Sequence, residues 1–350
     1  MNVQVTPRRI VFCKRMNSEA ASGESTRAIE WVSYGSPEGL RLVERRKPTP
    51  GDHELLIRIR STIVSAGDCE LRGLRFSIGM RLLVRMLMGF TKPRHRILGQ
   101  DLSGEVEAVG KDVRRFRVGD QVFGTTGFGF GAYAEYICLS EKSGAGAVAI
   151  KPSNMTHEEA AAVPTGGLEA LHFLRKAGGL KGRTVLINGA GGGIGRFAVQ
   201  LAKESGADVT GVDRTGKLEL LRSIGADRVI DYTREDFTQG GATYDVIFDV
   251  VGTSSFPDCV AALHEEGYYL LGNPKLSTRV RGKWTSTFSR KKVIFGAARQ
   301  RAEDLVVLRE LIEAGKVRSV IDRRYSLDQV PEAHRYVETG LARGTVAISP

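Results

Sequence analysis

The chain has 350 residues, 41% hydrophobic and 26% charged, with a formal net charge of +11. That length exceeds the size at which a single core stops growing, so two domains are expected, and no apolar run approaches the ~18 uncharged residues of a membrane-spanning helix. The charge is local, since residues 1–100 carry 18 Lys and Arg against 9 Asp and Glu and the remainder 33 against 31; with no nucleic-acid motif beside it, it predicts a basic surface near an anionic ligand rather than nucleic-acid binding.

Residues 1–27 are polar, small and basic, and are expected to form a flexible extension; Glu19 and Glu24 fit a transit-type leader poorly. From Ala28 to residue 150 short strand-like runs such as AIEWVSYG, LSGEVEAVG and DQVFGTTGFGFGAYAEYICL alternate with turns, which predicts an all-β domain. Cys13, Cys69, Cys138 and Cys259 lie far apart with no CxxC spacing. That argues against a disulfide framework and a cysteine-based structural zinc site, and fits a reducing cytoplasm. Between Leu71 and Gln100 the chain carries seven Lys and Arg and no acid. Leu82, Leu83, Met86, Leu87 and Phe90 fall on one helical side, with Arg81 and Arg85 on another. Three readings are open for this basic amphipathic helix: a core-facing helix with a solvated face, a Met-rich lid lining an apolar pocket, and transient attachment to an anionic membrane surface.

From Lys151 helices and strands alternate, which predicts a parallel sheet with helices on both faces, over residues 151–298. A helix is expected around CVAALHEE. After Arg301 come a helix through Glu313, the strand-like SVIDRRYSL, a helix over about 328–338 and the strand TVAIS. This tail, residues 299–350, is expected to return and complete the first domain.

Thr184 to Asp213 is a strand, a glycine turn, a helix and a second strand in unbroken succession. Val185, Leu186 and Ile187 suit a buried parallel strand; Phe197, Ala198, Leu201 and Ala202 repeat with helical spacing. Between them lie Gly189, Ala190, Gly191, Gly192, Gly193, Ile194 and Gly195, with Ala190, Gly192 and Gly195 at the three fingerprint positions. Minimal side chains there allow the tight turn, backbone approach to a pyrophosphate and close helix packing. The segment reads as a dinucleotide site, its helix amino terminus facing the phosphates.

Several segments together resemble the medium-chain dehydrogenase/reductase superfamily, in particular its zinc-free quinone oxidoreductase-like branch. They are Ile97–Val106 (ILGQDLSGEV), Val118–Val122 (VGDQV), Gly131–Tyr136 (GAYAEY), AAAVPTGGLEAL and the NGAGGGIG turn. The resemblance covers nearly everything after Ala28. It implies an α/β protein with a GroES-like β-domain, a Rossmann doubly wound parallel-sheet domain and an active-site cleft between them. It also implies a homodimer joined through the Rossmann sheet edge near KKVIFGAA. Zinc-dependent relatives have His-Glu where this chain has Gln100-Asp101, and a cysteine ligand where it has Ser65, so no zinc is expected. Without a metal, reduction of a quinone or an α,β-unsaturated carbonyl is the natural chemistry, because the acceptor delocalises the charge that hydride brings.

By the same resemblance Asp68, in Ser65-Ala66-Gly67-Asp68, positions the nicotinamide ribose or closes the cleft, with a turn-capping role as its alternative. Tyr133 and Tyr136 are candidates to hydrogen-bond a substrate oxygen, although strand alternation aims only one of them at the cleft. The stretch Arg72–Phe76 lacks the tyrosine of enoyl-thioester reductases. Thr165, Gly272 and Asn273 are expected to flank the nicotinamide. At the adenosine end Asp213 favours NADH by its position after the second strand, whereas Arg214, Lys217 and Tyr232 match residues that surround the 2′-phosphate of NADPH. The balance leans to NADPH with dual use of NADH. The basic segment 71–100, set between Asp68 and Gly99, is read as the lid. The expected protein is thus a cytoplasmic NAD(P)H-dependent reductase of a small hydrophobic acceptor. An alcohol dehydrogenase or enone reductase, and a nucleotide-bound redox sensor or scaffold without turnover, are its alternatives.

Overall fold

Period-two alternation builds the first domain. In the computed structural model of the chain, residues 24–142, 144 and 146–350 are described; residues 1–23 of the expected extension lie outside them, and its last residues already belong to a strand. That strand, β1 (Ser25–Trp31), pairs antiparallel with β2 (Leu40–Arg46). The long strand β3 (Glu54–Val64) follows, then α1 (Ala66–Gly73), α2 (Ile78–Met88), β4 (Asp101–Val109), β5 (Gln121–Thr125), β6 (Tyr136–Ser140) and β7 (Ala147–Ile150). Leu55, Ile57, Leu102, Val106 and Val122, all buried, make the domain's core. Apolar side chains recur at alternate positions along β3 and β4, as a half-buried sheet requires.

The second domain opens with α3 (His157–Ala161), capped by Thr156 and Glu159, and α4 (Pro164–Lys176), which starts at a proline suited to a first helical turn. Then come β8 (Thr184–Asn188), α5 (Gly193–Glu204), β9 (Asp208–Asp213), α6 (Leu218–Ser223), β10 (Arg228–Asp231), β11 (Tyr244–Asp249), α7 (Phe256–Ala261), β12 (Leu263–Leu271), α8 (Leu276–Phe288) and β13 (Lys292–Phe295). The six strands are parallel in the order β10-β9-β8-β11-β12-β13. The order reverses between β8 and β11, the switch point where open α/β sheets bind ligands beyond their carboxyl ends. Val185 and Ile187 of β8 are fully buried against Phe197, Ala198 and Leu201 of α5. One expectation needs correcting. His264 to Glu266 belong to β12, not to a helix continuing from Cys259, because α7 stops at Ala261.

In the tail, helix α9 (Ala302–Glu313) packs Leu305, Leu308 and Ile312 where the domains meet, in the cluster that joins α4 to Phe123, Ala147 and Ala149 of the first domain. The chain returns only with β14 (Ile321–Ser326), α10 (Val330–Glu338) and β15 (Thr345–Ser349). There β15 pairs antiparallel with β3, giving a seven-stranded sheet in the order β14-β15-β3-β4-β5-β7 with β6 also on β3.

Candidate active site

The glycine turn after β8 sits at the switch point. Gly189 has φ of +82° and its Cα faces Val251, so a side chain there meets both strain and a wall. A Cβ at Gly195 would lie 2.6 Å from the Cα of Ala190, which explains why the helix must approach the strand through a glycine. Gly192 caps α5 without a side-chain bond, leaving the first amides of the helix turned toward the place of a pyrophosphate. Beneath the turn lies the buried Arg196, which sequence reasoning passed over. Its guanidinium donates to Gly191 O at 2.9 Å and to Thr345 Oγ1 at 2.8 Å, joining the turn to the returning strand β15. Burial lowers its pKa to about 10, opposed by Asp213 and Asp322, so it remains charged at neutral pH.

At the adenosine end Asp213 is turned inward. Its carboxylate accepts the amides of Gly191 at 2.8 Å and Arg214 at 2.9 Å, and Lys217 Nζ lies 3.8 Å away. Burial lowers the Lys217 pKa, with Asp213 pulling the other way. The Tyr232 amide bonds to Asp213 O at 3.2 Å, which brings that exposed ring beside the same strand end. Arg214 reaches toward Gly340 O at 3.5 Å, and Arg343 Nη2 stands 3.9 Å from where a Cβ on Gly216 would be. Arg343, from the return segment, therefore joins Arg214 and Lys217 around one rim.

The nicotinamide end is organised by Asp249, another residue not singled out from the sequence. Buried at the carboxyl end of β11, it accepts from Asn188 Nδ2 at 2.9 Å, Gly252 N at 2.9 Å and the Tyr269 hydroxyl at 3.1 Å. Gly272 N bonds to the Asp249 carbonyl at 2.9 Å, and Gly252 packs on the Asn273 backbone. Gly272 and Asn273 are thereby brought to the same edge as the glycine turn. Thr165 stands in the first turn of α4. Its amide and hydroxyl donate to Asp101 Oδ1 at 3.2 and 2.7 Å, and its hydroxyl lies 3.2 Å from that of Thr125. A Cβ on the neighbouring Gly166 would be 2.7 Å from Gly193 O, so the start of α4 rests directly on the glycine turn. Burial raises the Asp101 pKa to about 7, against the hydrogen bonds of Thr165 and Thr125.

The candidate catalytic residues are placed differently. Asp68 closes a capping box on α1: it accepts Ser65 N at 3.0 Å, while its own amide donates to Ser65 Oγ at 3.1 Å. It is buried, and burial raises its pKa, with the Ser65 bonds opposing. Tyr133 is wholly buried, 3.2 Å from His334 Nε2, so its hydroxyl belongs to an internal polar cluster of α1 and α10. In that cluster Arg72 Nε donates to His334 Nδ1 at 3.3 Å and its guanidinium pairs with Glu338. Nδ1 is then the acceptor nitrogen, and the imidazole donates from Nε2 to the tyrosine. Burial and the Arg72 charge lower the His334 pKa to about 3. Tyr136 lies outside the cleft. It pairs with Arg58 across β3 and lies under Lys47 Nζ, 4.4 Å from the ring centroid, because its strand directs it to the outer face of the sheet.

The core-facing reading of α2 does not match its surroundings. No residue of α2 is buried. It meets the rest of the domain through Met88, which packs on the cluster around Trp31, and through Tyr34, whose hydroxyl donates to Gly89 O at 2.8 Å and whose ring lies under Arg85.

A doubly wound parallel sheet with a glycine turn at its switch point, facing a β-domain wall, defines a nicotinamide-dependent oxidoreductase. Two family models match, the alcohol dehydrogenase GroES-like domain over residues 51–151 and the zinc-binding dehydrogenase over residues 224–348. A 2-methylene-furan-3-one reductase of Solanum lycopersicum is 32% identical, covering 95% of this chain and 84% of its own. The mitochondrial NAD(P)H oxidoreductase RTN4IP1 of Mus musculus is 32% identical over 94% of this chain and 90% of its own. Among solved structures, the quinone oxidoreductase of Coxiella burnetii superposes with a TM-score of 0.81 at 28% identity, covering 93% of this chain and 100% of that one. The chain belongs to the medium-chain dehydrogenase/reductase superfamily, in its quinone oxidoreductase-like branch. It is an oxidoreductase that uses a nicotinamide cofactor.

Proposed function

We propose that the protein reduces a quinone or an α,β-unsaturated carbonyl by direct hydride transfer from NAD(P)H, without zinc. The observation that carries this reading is the seating of Thr165 and Gly166 on the glycine turn, with Asp101 and Thr125 behind them. That arrangement sets the β-domain wall against the place of a nicotinamide. A bound dihydronicotinamide supplies the hydride. The chain's own contribution is to hold the pyrophosphate on the α5 amides, fix the nicotinamide edge through Thr165, Gly272 and Asn273, and exclude water.

The donor set does not fit a zinc ion. Ser65 Oγ bonds to Asp68 Oδ2, Cys69 faces His334 inside the core with its thiol pKa raised by burial, and Gln100 stands where zinc-dependent relatives have a histidine. Among the described residues no three His, Cys, Asp or Glu side chains converge. NADPH is the favoured cofactor in this reading, because Asp213 is committed to the turn while Arg214, Lys217 and Arg343 share the rim beside Tyr232.

A homodimer is proposed through β13. It is the edge strand of the parallel sheet, and next to it α8 exposes Val280, Trp284 and Phe288 on one stripe. A groove of about 660 Å³ runs between that stripe and Phe256.

The test is anaerobic oxidation of NADPH and NADH with quinones, enones and alcohol–ketone pairs, with chelator or added zinc. Chelator-insensitive turnover of quinones or enones is expected. Turnover that requires zinc would overturn the reading, and tight cofactor binding with no turnover on any acceptor would replace it with a sensor or scaffold.

A further inference from the structure

Helix α2 is inside out. At 100° per residue its outward arc holds Leu82, Met86, Leu83 and Leu87, which are 53%, 53%, 41% and 66% exposed. Phe90, just past the helix, is 57% exposed. Its inward arc holds Val84, Met88 and Arg85, of which Met88 packs on the cluster around Trp31 and Arg85 lies over the Tyr34 ring, 5.8 Å from its centroid. An apolar arc of this size turned to water is costly unless something covers it.

The charges around the arc identify the cover. Lys92 and Arg94, in the loop just past the arc, are exposed and, among the described residues, make no ion pair with a carboxylate. No acid occurs between Leu71 and Gln100. A second copy docking by two-fold symmetry would set this basic rim against itself, which electrostatics opposes. An anionic bilayer meets both demands: acyl chains take the leucines and methionines at no particular geometry, and headgroups neutralise the rim. No helix among the described residues is long and apolar enough to cross a membrane. Surface attachment is the mode this short helix allows.

We propose that α2 and the loop through Arg94 dock the protein onto an anionic lipid bilayer. The inference does not rest on which acceptor is reduced. Its test is sedimentation of the full chain with vesicles of phosphatidylcholine alone or mixed with phosphatidylglycerol, at low and high salt. Two variants are compared, Leu83→Glu with Leu87→Glu, and Lys92→Glu with Arg94→Glu; all substituted side chains are exposed. Circular dichroism and cofactor binding verify that each variant is folded. Wild type is expected to pellet with the anionic vesicles only, and both high salt and the charge reversals to weaken partitioning about tenfold or more. The leucine substitutions are expected to abolish it. Failure to bind anionic vesicles, equal binding to neutral ones, or wild-type binding by either variant overturns the proposal. So does a self-associated wild type that the leucine substitutions convert to monomer without any vesicle binding.

Discussion

The Asp213 carboxylate accepts the Gly191 amide at 2.8 Å, which makes it part of the glycine turn rather than a free acceptor at the ribose. In the proposed reading, cofactor preference then rests on its basic neighbours. Lys217→Ala and Arg343→Ala should each raise KM for NADPH about 10- to 100-fold, the value of a charge-assisted hydrogen bond, and leave NADH nearly unchanged. Asp213→Ala should weaken both cofactors alike. Equal losses for NADPH and NADH on removing Lys217 would show that the 2′-phosphate is bound elsewhere.

Asp101 carries a pH signature. Its folded pKa, raised to about 7 by burial, exceeds the ~3.9 of an unfolded aspartate. The unfolded chain therefore loses its proton first. The associated stability is complete below about pH 4 and disappears as pH rises through about 7. Asp101→Asn keeps an acceptor for Thr165 and should flatten this part of the Tm–pH curve; an unchanged slope would refute the assignment.

Gly195→Ala tests the contact between α5 and β8. The added Cβ would meet Ala190 Cα at 2.6 Å and the Gly189 carbonyl more closely still, both backbone atoms that cannot turn aside. Cofactor affinity, followed by nucleotide fluorescence, should fall at least about tenfold as the turn shifts, with a lower Tm. Gly179→Ala, outside the turn and with nothing within 4 Å of its Cβ, is the control and should bind normally.

Tyr133 and Tyr136 separate structure from chemistry. Tyr133→Phe removes the partner of His334 Nε2 inside the core and should cost about 1–3 kcal/mol of stability, while kcat at saturating substrate stays within a few-fold. Tyr136→Phe should alter neither. A hundredfold loss of kcat in folded Tyr133→Phe protein would return that hydroxyl to the reaction. His334 adds an acid limit: with its pKa lowered to about 3 from the ~6.5 of the unfolded state, its contribution is present above pH 6.5 and lost as pH falls through 3.

Local pattern made much of this molecule legible. The glycine turn, β8 and α5 follow from spacing alone, and the helix–strand alternation after Lys151 implied the parallel sheet. Arg196, Asp249 and Arg343 escaped because their roles depend on partners far away in sequence, such as Thr345 for Arg196 and Tyr269 for Asp249. Helical periodicity separated the two sides of α2 correctly, but periodicity has no sign: it marks an apolar side without saying whether the chain or something else will cover it. For Tyr136 the strand was legible and the orientation was not, since alternation leaves open which face of a sheet meets the cleft.

The pairing of β15 with β3 sets Val346 against Val64, so the first domain shares its central sheet with the last residues of the chain. A ribosome delivers β15 long after β3, with the whole parallel-sheet domain between them. The parallel-sheet domain has all of its described strands once β13 has emerged, whereas the end of β3, Thr62 to Val64, must wait with one side unpaired until β15 follows. Any interruption that removes only the final strand should therefore release a chain able to bind nucleotide but prone to aggregate through an open β edge.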